Sequence, residues 1–443
     1  MPYTPQTWAN GPGGLTPVNA TRLNYMEAGI ASAGGGGGGT LVVYASDAAS
    51  PIGDYVCDGT ADEVQINAAI NALPNGRGTV VLSEGTFTLG GSIVFDTGTN
   101  VMLVGQGAEG YNGYDYNTYV TLVGAISAPL IDIRQFSSAI VRDISLDNSS
   151  TDTSSDVIYT DNGSTGLVVQ DCTIAGNGNS RYGVYLQPSA AIIRNCAIWT
   201  NQQCVYSNAG NGPYYLEVTG SYLYSNSSYA IESVGSYGTP DLSLIGNTGN
   251  TLLVSGCFSD GNGKGVLKTS GGHGSVTVLG NYFLYDQGTG GTCTIECTDT
   301  AGLLIANNQF GGTSGTPSIV KLTNCLHSQI QDNLFSFGVS QSGIHILDSD
   351  HILVSGNLMQ DIGIGTNDTY SGILLDGDTN ECLVYGNMIR PSASANKLKY
   401  AIRIDDSTCD DNMVYGNDVK GSYVTAGVSD AGTGTITTAS NRT

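Results

Sequence analysis

A six-residue phrase keeps returning along this chain, and it limits the possible folds more than any other feature. Its clearest copy is Val354-Ser-Gly-Asn357-Leu-Met359. It recurs as Val384-Tyr-Gly-Asn387-Met-Ile389, Val414-Tyr-Gly-Asn417-Asp-Val419, Ile330-Gln-Asp-Asn333-Leu-Phe335, Ile305-Ala-Asn-Asn308-Gln-Phe310 and Val278-Leu-Gly-Asn281-Tyr-Phe283. Further upstream, Cys172 and Cys196 stand at the Asn place. Neighbouring copies lie 24 to 30 residues apart, and a period in that range means stacked supersecondary units.

Apolar residues alternate before each phrase, as in Ile352-Leu-Val354, and a Gly or Asp then breaks the run, so each copy reads as a short strand ending in a turn. About ten residues earlier comes a second strand, as in Gly343-Ile-His-Ile346, Gly372-Ile-Leu-Leu375 and Ala401-Ile-Arg-Ile404. Two or three strands per repeat, with no helix between them, predict a coil of parallel strands rising about 4.8 Å per turn. Parallel crossovers take the right hand, so the expected fold is all-β, a right-handed parallel β-helix. In such a coil the repeated Asn bonds its copies above and below and tolerates the left-handed backbone of a tight corner. Between 234 and 281 both Leu244-Ile-Gly-Asn247 and Val254-Ser-Gly-Cys257 fit the phrase, and the extra residues predict a protruding loop.

Composition narrows the partners. Fifteen basic residues face 38 acidic ones, a net charge of −23. That surface repels nucleic acid and anionic membranes. Neither a secretory signal nor a membrane span is expected, because no basic segment precedes an apolar one and no run of eighteen apolar residues occurs. The ten cysteines follow the repeat rather than a disulfide framework, and reduced, inward thiols are expected. Cys293-x-x-x-Cys297 has no partner pair, so no zinc site is expected.

Residues 1–33 do not share the repeat. Leu23, Met26 and Ile30 make one short amphipathic helix that must dock on a partner, and glycines 34–39 form a flexible linker. The coil is expected to begin over 40–108, to run on over 109–419 and to close with a short strand cap over 420–443. A helix after Asp58-Gly-Thr60, with Ile66, Ala69, Ile70 and Leu73 on one face and Thr60 and Glu63 as a capping box, suits the lid that a coil's open end needs.

Two resemblances follow from these residues. The leader, with Thr7-Trp8, Pro17-Val-Asn-Ala20 and Leu23-Asn-Tyr-Met-Glu-Ala-Gly-Ile30, resembles the N-terminal attachment segment of bacteriophage minor tail proteins and tail fibres. The order Asp58-Gly-Thr-Ala-Asp62, helix, Gly78-Thr-Val-Val-Leu82-Ser-Glu-Gly85-Thr-Phe87 and Leu103-Val-Gly105-Gln-Gly107 resembles the pectate-lyase superfamily of β-helix proteins, which includes many phage tail spikes. The resemblance implies a virion tail component that is synthesised without a signal peptide. It further implies attachment to other tail or baseplate proteins through residues 1–33, a homotrimer, and a host cell-surface glycan as ligand. It leaves open a glycoside hydrolase, a calcium-dependent polysaccharide lyase and a non-catalytic adhesin.

Aligning the second strands on their inward apolar residues predicts an outward ladder of Tyr185, Tyr206, Glu232, Leu267, Glu296, Lys321, His345, Leu374 and Arg403. Glu232 and Glu296 then stand about 9.6 Å apart, at two turns of 4.8 Å, near the upper limit for the carboxyl pair of an inverting glycosidase. Tyr185, Tyr206, Lys321, His345 and Arg403 would line a glycan groove; the plain alternative is a solvated face. A second cluster sets Asp376 over Asp405, with Asp348, Asp378 and Asp406 nearby. It fits acid–base chemistry or a calcium ion, or else corner aspartates that bond backbone N–H groups. No residue is assigned as a metal ligand. The cluster Tyr111, Tyr114, Tyr116 and Tyr119 suits either sugar stacking or an edge loop against a neighbouring subunit.

Overall fold

A computed structural model describes residues 39–443 apart from 50, 52, 97–99, 108–119, 135–137, 149–154, 162–165, 177–180, 188–189, 200, 209–214, 236–250, 285–292, 312–317, 337–341, 364, 391–395 and 439. The leader, most of the glycine linker, the tyrosine cluster and the Leu244–Asn247 alternative lie outside the described residues.

The phrase and its companion strands generate a parallel β-solenoid with three strands to a turn. In one turn, Leu353–Ser355 lies in a sixteen-stranded sheet, Leu358–Gln360 in a twelve-stranded sheet and Ser371–Asp376 in a thirteen-stranded sheet. Every strand pair is parallel, each strand bonding its counterpart one turn away, as Val354 pairs with Ile330 below and Val384 above. The ambiguous turn is settled: Val254 pairs with Val278, so Val254-Ser-Gly-Cys257 carries the phrase.

The Asn column runs through the corner between the first two sheets. Asn281, Asn308, Asn333, Asn357, Asn387 and Asn417 are each at most 3% exposed. Each amide nitrogen donates to the Oδ1 of the next copy at 2.9 to 3.0 Å, ending on Asn441, and the same Oδ1 accepts the preceding backbone N–H. Buried amides therefore have their bonding supplied by their own neighbours. The left-handed backbone falls one residue earlier than expected. Gly280, Asn307, Asp332, Gly356, Gly386 and Gly416 have φ between 54° and 66°. Only Gly, Asn and Asp take that conformation readily, which is why the third place of the phrase is restricted to them.

Side chains pointing into the coil stack by type. Phe283, Phe310 and Phe335 are fully buried on successive turns, with ring centroids 5.3 and 4.8 Å apart, and burying each contributes about 1.5–3 kcal/mol. All ten cysteines are buried and free. Glu63–Asn71 is a helix that buries Ile66, Ala69 and Ile70 and packs against the first strands. The capping box does not form. Glu63 reaches across to accept the Gly90 N–H at 2.8 Å, and Thr60 turns to Asp58.

Outward, the sheets diverge. Paired residue by residue, the central outward line of the sixteen-stranded sheet from Thr251–Ser255 onward reads Leu253, Thr277, Leu304, Gln329, Leu353, Leu383, Met413 and Ile436. The thirteen-stranded sheet carries charge.

Candidate functional site

Outward positions of the thirteen-stranded sheet align one above another because each strand keeps its partner's register. The line runs Asp132, Tyr159, Tyr185, Tyr206, Glu232, Lys268, Glu296, Lys321, His345, Leu374 and Arg403. All nine candidate residues from the sequence lie on or beside it. One ladder member is corrected: Lys268, not Leu267, faces outward, and Leu267 is fully buried in the core.

Four tyrosines occupy the lower turns. Tyr185 is sandwiched between Tyr159 and Tyr206 at 5.2 and 5.6 Å, and Tyr182 stacks on Tyr206 at 4.5 Å. Their faces are largely spent on one another, so this stretch presents ring edges rather than open platforms. Burial pushes the Tyr182 phenol up to about 12 and raises Tyr206 and Tyr159, so all three stay neutral donors near neutral pH.

Above the rings the charges are paired. Glu232 accepts from the Gln203 amide and lies 3.7 Å from the Lys268 ammonium. Glu296 accepts the Tyr229 hydroxyl at 2.7 Å. The two glutamates are two turns apart with Lys268 between them. His345 Nε2 lies 3.2 Å from Asp376 Oδ2. Burial lowers the His345 pKa while Asp376 opposes the shift, so the imidazole tends to the neutral state.

The aspartate cluster is largely scaffold. Asp405 is paired with the Arg403 guanidinium, and Asp376 also accepts the Gly377 N–H at 3.0 Å. Asp348 accepts the Asp378 N–H and Asp406 the Thr408 N–H, both at 3.0 Å. Among the described residues no three His, Cys, Asp or Glu side chains converge as a metal-ligand set.

Sequence reasoning missed the concavity at the foot of the ladder. Asp132, Arg134, Asp156, Tyr159, Asp161 and Arg181 line a cleft of about 410 Å³. Asp132 and Tyr159 continue the ladder downward by two turns, so extending the same alignment in Ile131-Asp-Ile133 and Ile158-Tyr-Thr160 would have reached them. Asp156 and Arg181 carry no repeat signal and meet only in the fold. Burial raises the Asp156 carboxyl, with Arg181 pulling the other way.

No family model and no curated protein sequence matches the chain. Solved structures do resemble it. They include a tailspike protein variant of E. coli bacteriophage HK620 in complex with a pentasaccharide, at 11% identity and TM-score 0.48 over 84% of this chain and 76% of that one. Tailspike protein 3 of bacteriophage CBA120 aligns at 12% identity and TM-score 0.43 over 90% of this chain and 59% of that one. The A-module of a mannuronan C-5 epimerase from Azotobacter vinelandii aligns at 16% identity and TM-score 0.42, covering 90% and 99% respectively. At these identities the likeness is one of fold alone.

Proposed function

We propose that this protein is a bacteriophage tail spike that holds a host surface polysaccharide along the thirteen-stranded sheet. The carrying observation is the single register line of tyrosine, carboxylate, ammonium, imidazole and guanidinium groups, a straight polar track on one flank of a rigid coil. A long, repetitive ligand such as a glycan suits such a track, since successive sugars meet successive turns. Residues 1–33, which resemble phage attachment segments, would join the spike to other tail proteins, and the helix Glu63–Asn71 serves as the lid of the coil. The outward line of the sixteen-stranded sheet, charge-free from Leu253 onward, supports a homotrimer in which copies bury that face.

Hydrolysis by Glu232 and Glu296 is the catalytic form of this reading. Their two-turn spacing supports it. The ties of Glu232 to Gln203 and Lys268, and of Glu296 to Tyr229, favour the second form, an adhesin that recognises without cutting. Reducing-end release from host surface polysaccharide, with and without chelator, separates the forms. Release that Glu232→Gln and Glu296→Gln both abolish supports hydrolysis there. Release lost on chelation supports a calcium-dependent lyase working through the Asp376 and Asp405 region. Retention of the glycan without release supports the adhesin, and no retention at all would sink the tail-spike reading.

A further inference from the structure

We propose that the cleft at the foot of the ladder is a binding subsite for uncharged pyranose units, at one end of the track described above; the proposal rests on the glycan-binding reading. Three features of the cleft support it.

The first is preorganisation. Asp132 and Asp156 are each 3% exposed, and carboxylates so deep are stable only when paired and hydrogen-bonded. Arg134 holds Asp132 through Nε, at 2.9 Å, and Nη2. Arg181 holds Asp156 through Nε and Nη2, both at 3.2 Å. In each guanidinium the same edge is occupied, and Nη1 makes no hydrogen bond among the described residues. The two arginine side chains are 60% and 39% exposed. Arg181 is fixed on a further side, its Cζ 4.6 Å from the Tyr182 ring centroid and 5.3 Å from that of Tyr185. Two planar donors, each anchored by a buried carboxylate, thus line the cleft. Sugar hydroxyls require fixed donors of this kind, and a floppy lysine does not supply them.

The second is charge. Among the described residues, three aspartates and two arginines line the cleft, a sum of −1, on a chain of net charge −23. A uronate or sialate would enter against that field with both guanidinium groups already neutralised. A hydroxyl ring carries no charge and meets no such penalty, and its oxygens accept from the arginines.

The third is shape. Tyr185 has both faces covered, but Tyr159 ends the stack with one face on Tyr185, at 5.2 Å and 5° between planes, and lines the cleft. An aromatic ring beside oriented polar groups matches the two faces of a pyranose, apolar C–H on one side and hydroxyls at the rim.

The test is binding of the full chain to an array of bacterial surface polysaccharides, some built of neutral sugars and some containing uronate or sialate, for wild type and Arg134→Ala, Arg134→Lys, Tyr159→Leu and Gln360→Ala. Urea midpoints identify any variant that has unfolded. Because Arg134→Ala leaves Asp132 unpaired, Arg134→Lys and Tyr159→Leu carry the test if it unfolds. The expectation is retention of neutral glycans, weakened about tenfold or more by Arg134→Ala or Tyr159→Leu and less by Arg134→Lys, while Gln360→Ala, exposed on the twelve-stranded sheet, binds as wild type does. Preference for acidic glycans would overturn the proposed ligand class. Neutral-glycan binding unchanged in folded cleft variants would overturn the site and leave the tail-spike reading standing. A wild type that retains no glycan would overturn both.

Discussion

The sixteen-stranded and thirteen-stranded sheets are wound from the same turns, yet from Thr251–Ser255 onward their outer faces share almost no chemistry. From Thr251–Ser255 to Ile436–Thr437 the first presents no Asp, Glu, Lys or Arg, while Leu279, Tyr385, Met413 and Ile436 are 37 to 51% exposed. Over the same turns the second carries Lys268, Glu296, Lys321, His345 and Arg403. The inward residues and the corner Asn, with the backbone bonds between turns, hold the coil together. Each outer face is therefore free to take its own chemistry, one apolar and one charged.

The largest effect is expected on the smooth face. For the homotrimer proposed above, the double variant Leu353→Asp/Leu383→Asp should give single chains by light scattering, because a charge buried between copies carries a heavy desolvation cost. Leu374→Asp, on the ladder, should leave the mass unchanged. A wild type that is already monomeric would remove the contrast as we interpret it.

Next comes the scaffold beneath both faces. Asn357→Leu strips the bonds to Asn387, Ile330 and Asn333 and leaves several buried groups unpaired, an expected loss of about 3–5 kcal/mol in urea unfolding. A loss below 1 kcal/mol would mean that the column is decorative.

Acid should distinguish inner from outer histidines. Burial lowers the pKa of His273 from 6.5 to about 4. The unfolded chain therefore takes up the proton more readily, and stability should fall as pH drops below about 6.5, levelling off near 4, by at most about 3 kcal/mol. His273→Gln should flatten that slope. His345→Gln should flatten it less, because Asp376 offsets part of the burial.

The smallest effect belongs to Lys268. Its ion pair with Glu232 spans 3.7 Å at partly exposed side chains, and Lys268→Met should cost under about 1 kcal/mol. The same change should alter glycan retention if the track is used, since the charge between the two glutamates is gone.

The ladder was legible in sequence because period-two alternation fixes which residues face out. It slipped only at Gly265–Ser270, where Val266 is buried at the place that Ala230, Gly343 and Gly372 hold in other turns. With Gly265 in front, Gly265-Val266 imitates Gly343-Ile344 and shifts the reading by one. The Asn column was legible too, but Ser221 escaped because it carries a hydroxyl where the others carry an amide or thiol, although it accepts the Cys196 N–H at 3.2 Å. The foot cleft was hidden for a different reason. Its Arg181–Asp156 pair spans 25 residues with three strands between, and nothing in either local stretch signals the other.

The Asn column also bears on how such a chain is edited over generations. Copies 24, 25, 27 or 30 residues apart make the same amide bond at 2.9 to 3.0 Å, so what is conserved between turns is the rung and not the length of its loops. Recombination at equivalent corners adds or removes a whole turn while every surviving amide still finds a neighbour. Loop insertions change the outer faces without entering the core. Duplication and loop exchange thus give a lineage two independent ways to vary its reach and its ligand while keeping one scaffold.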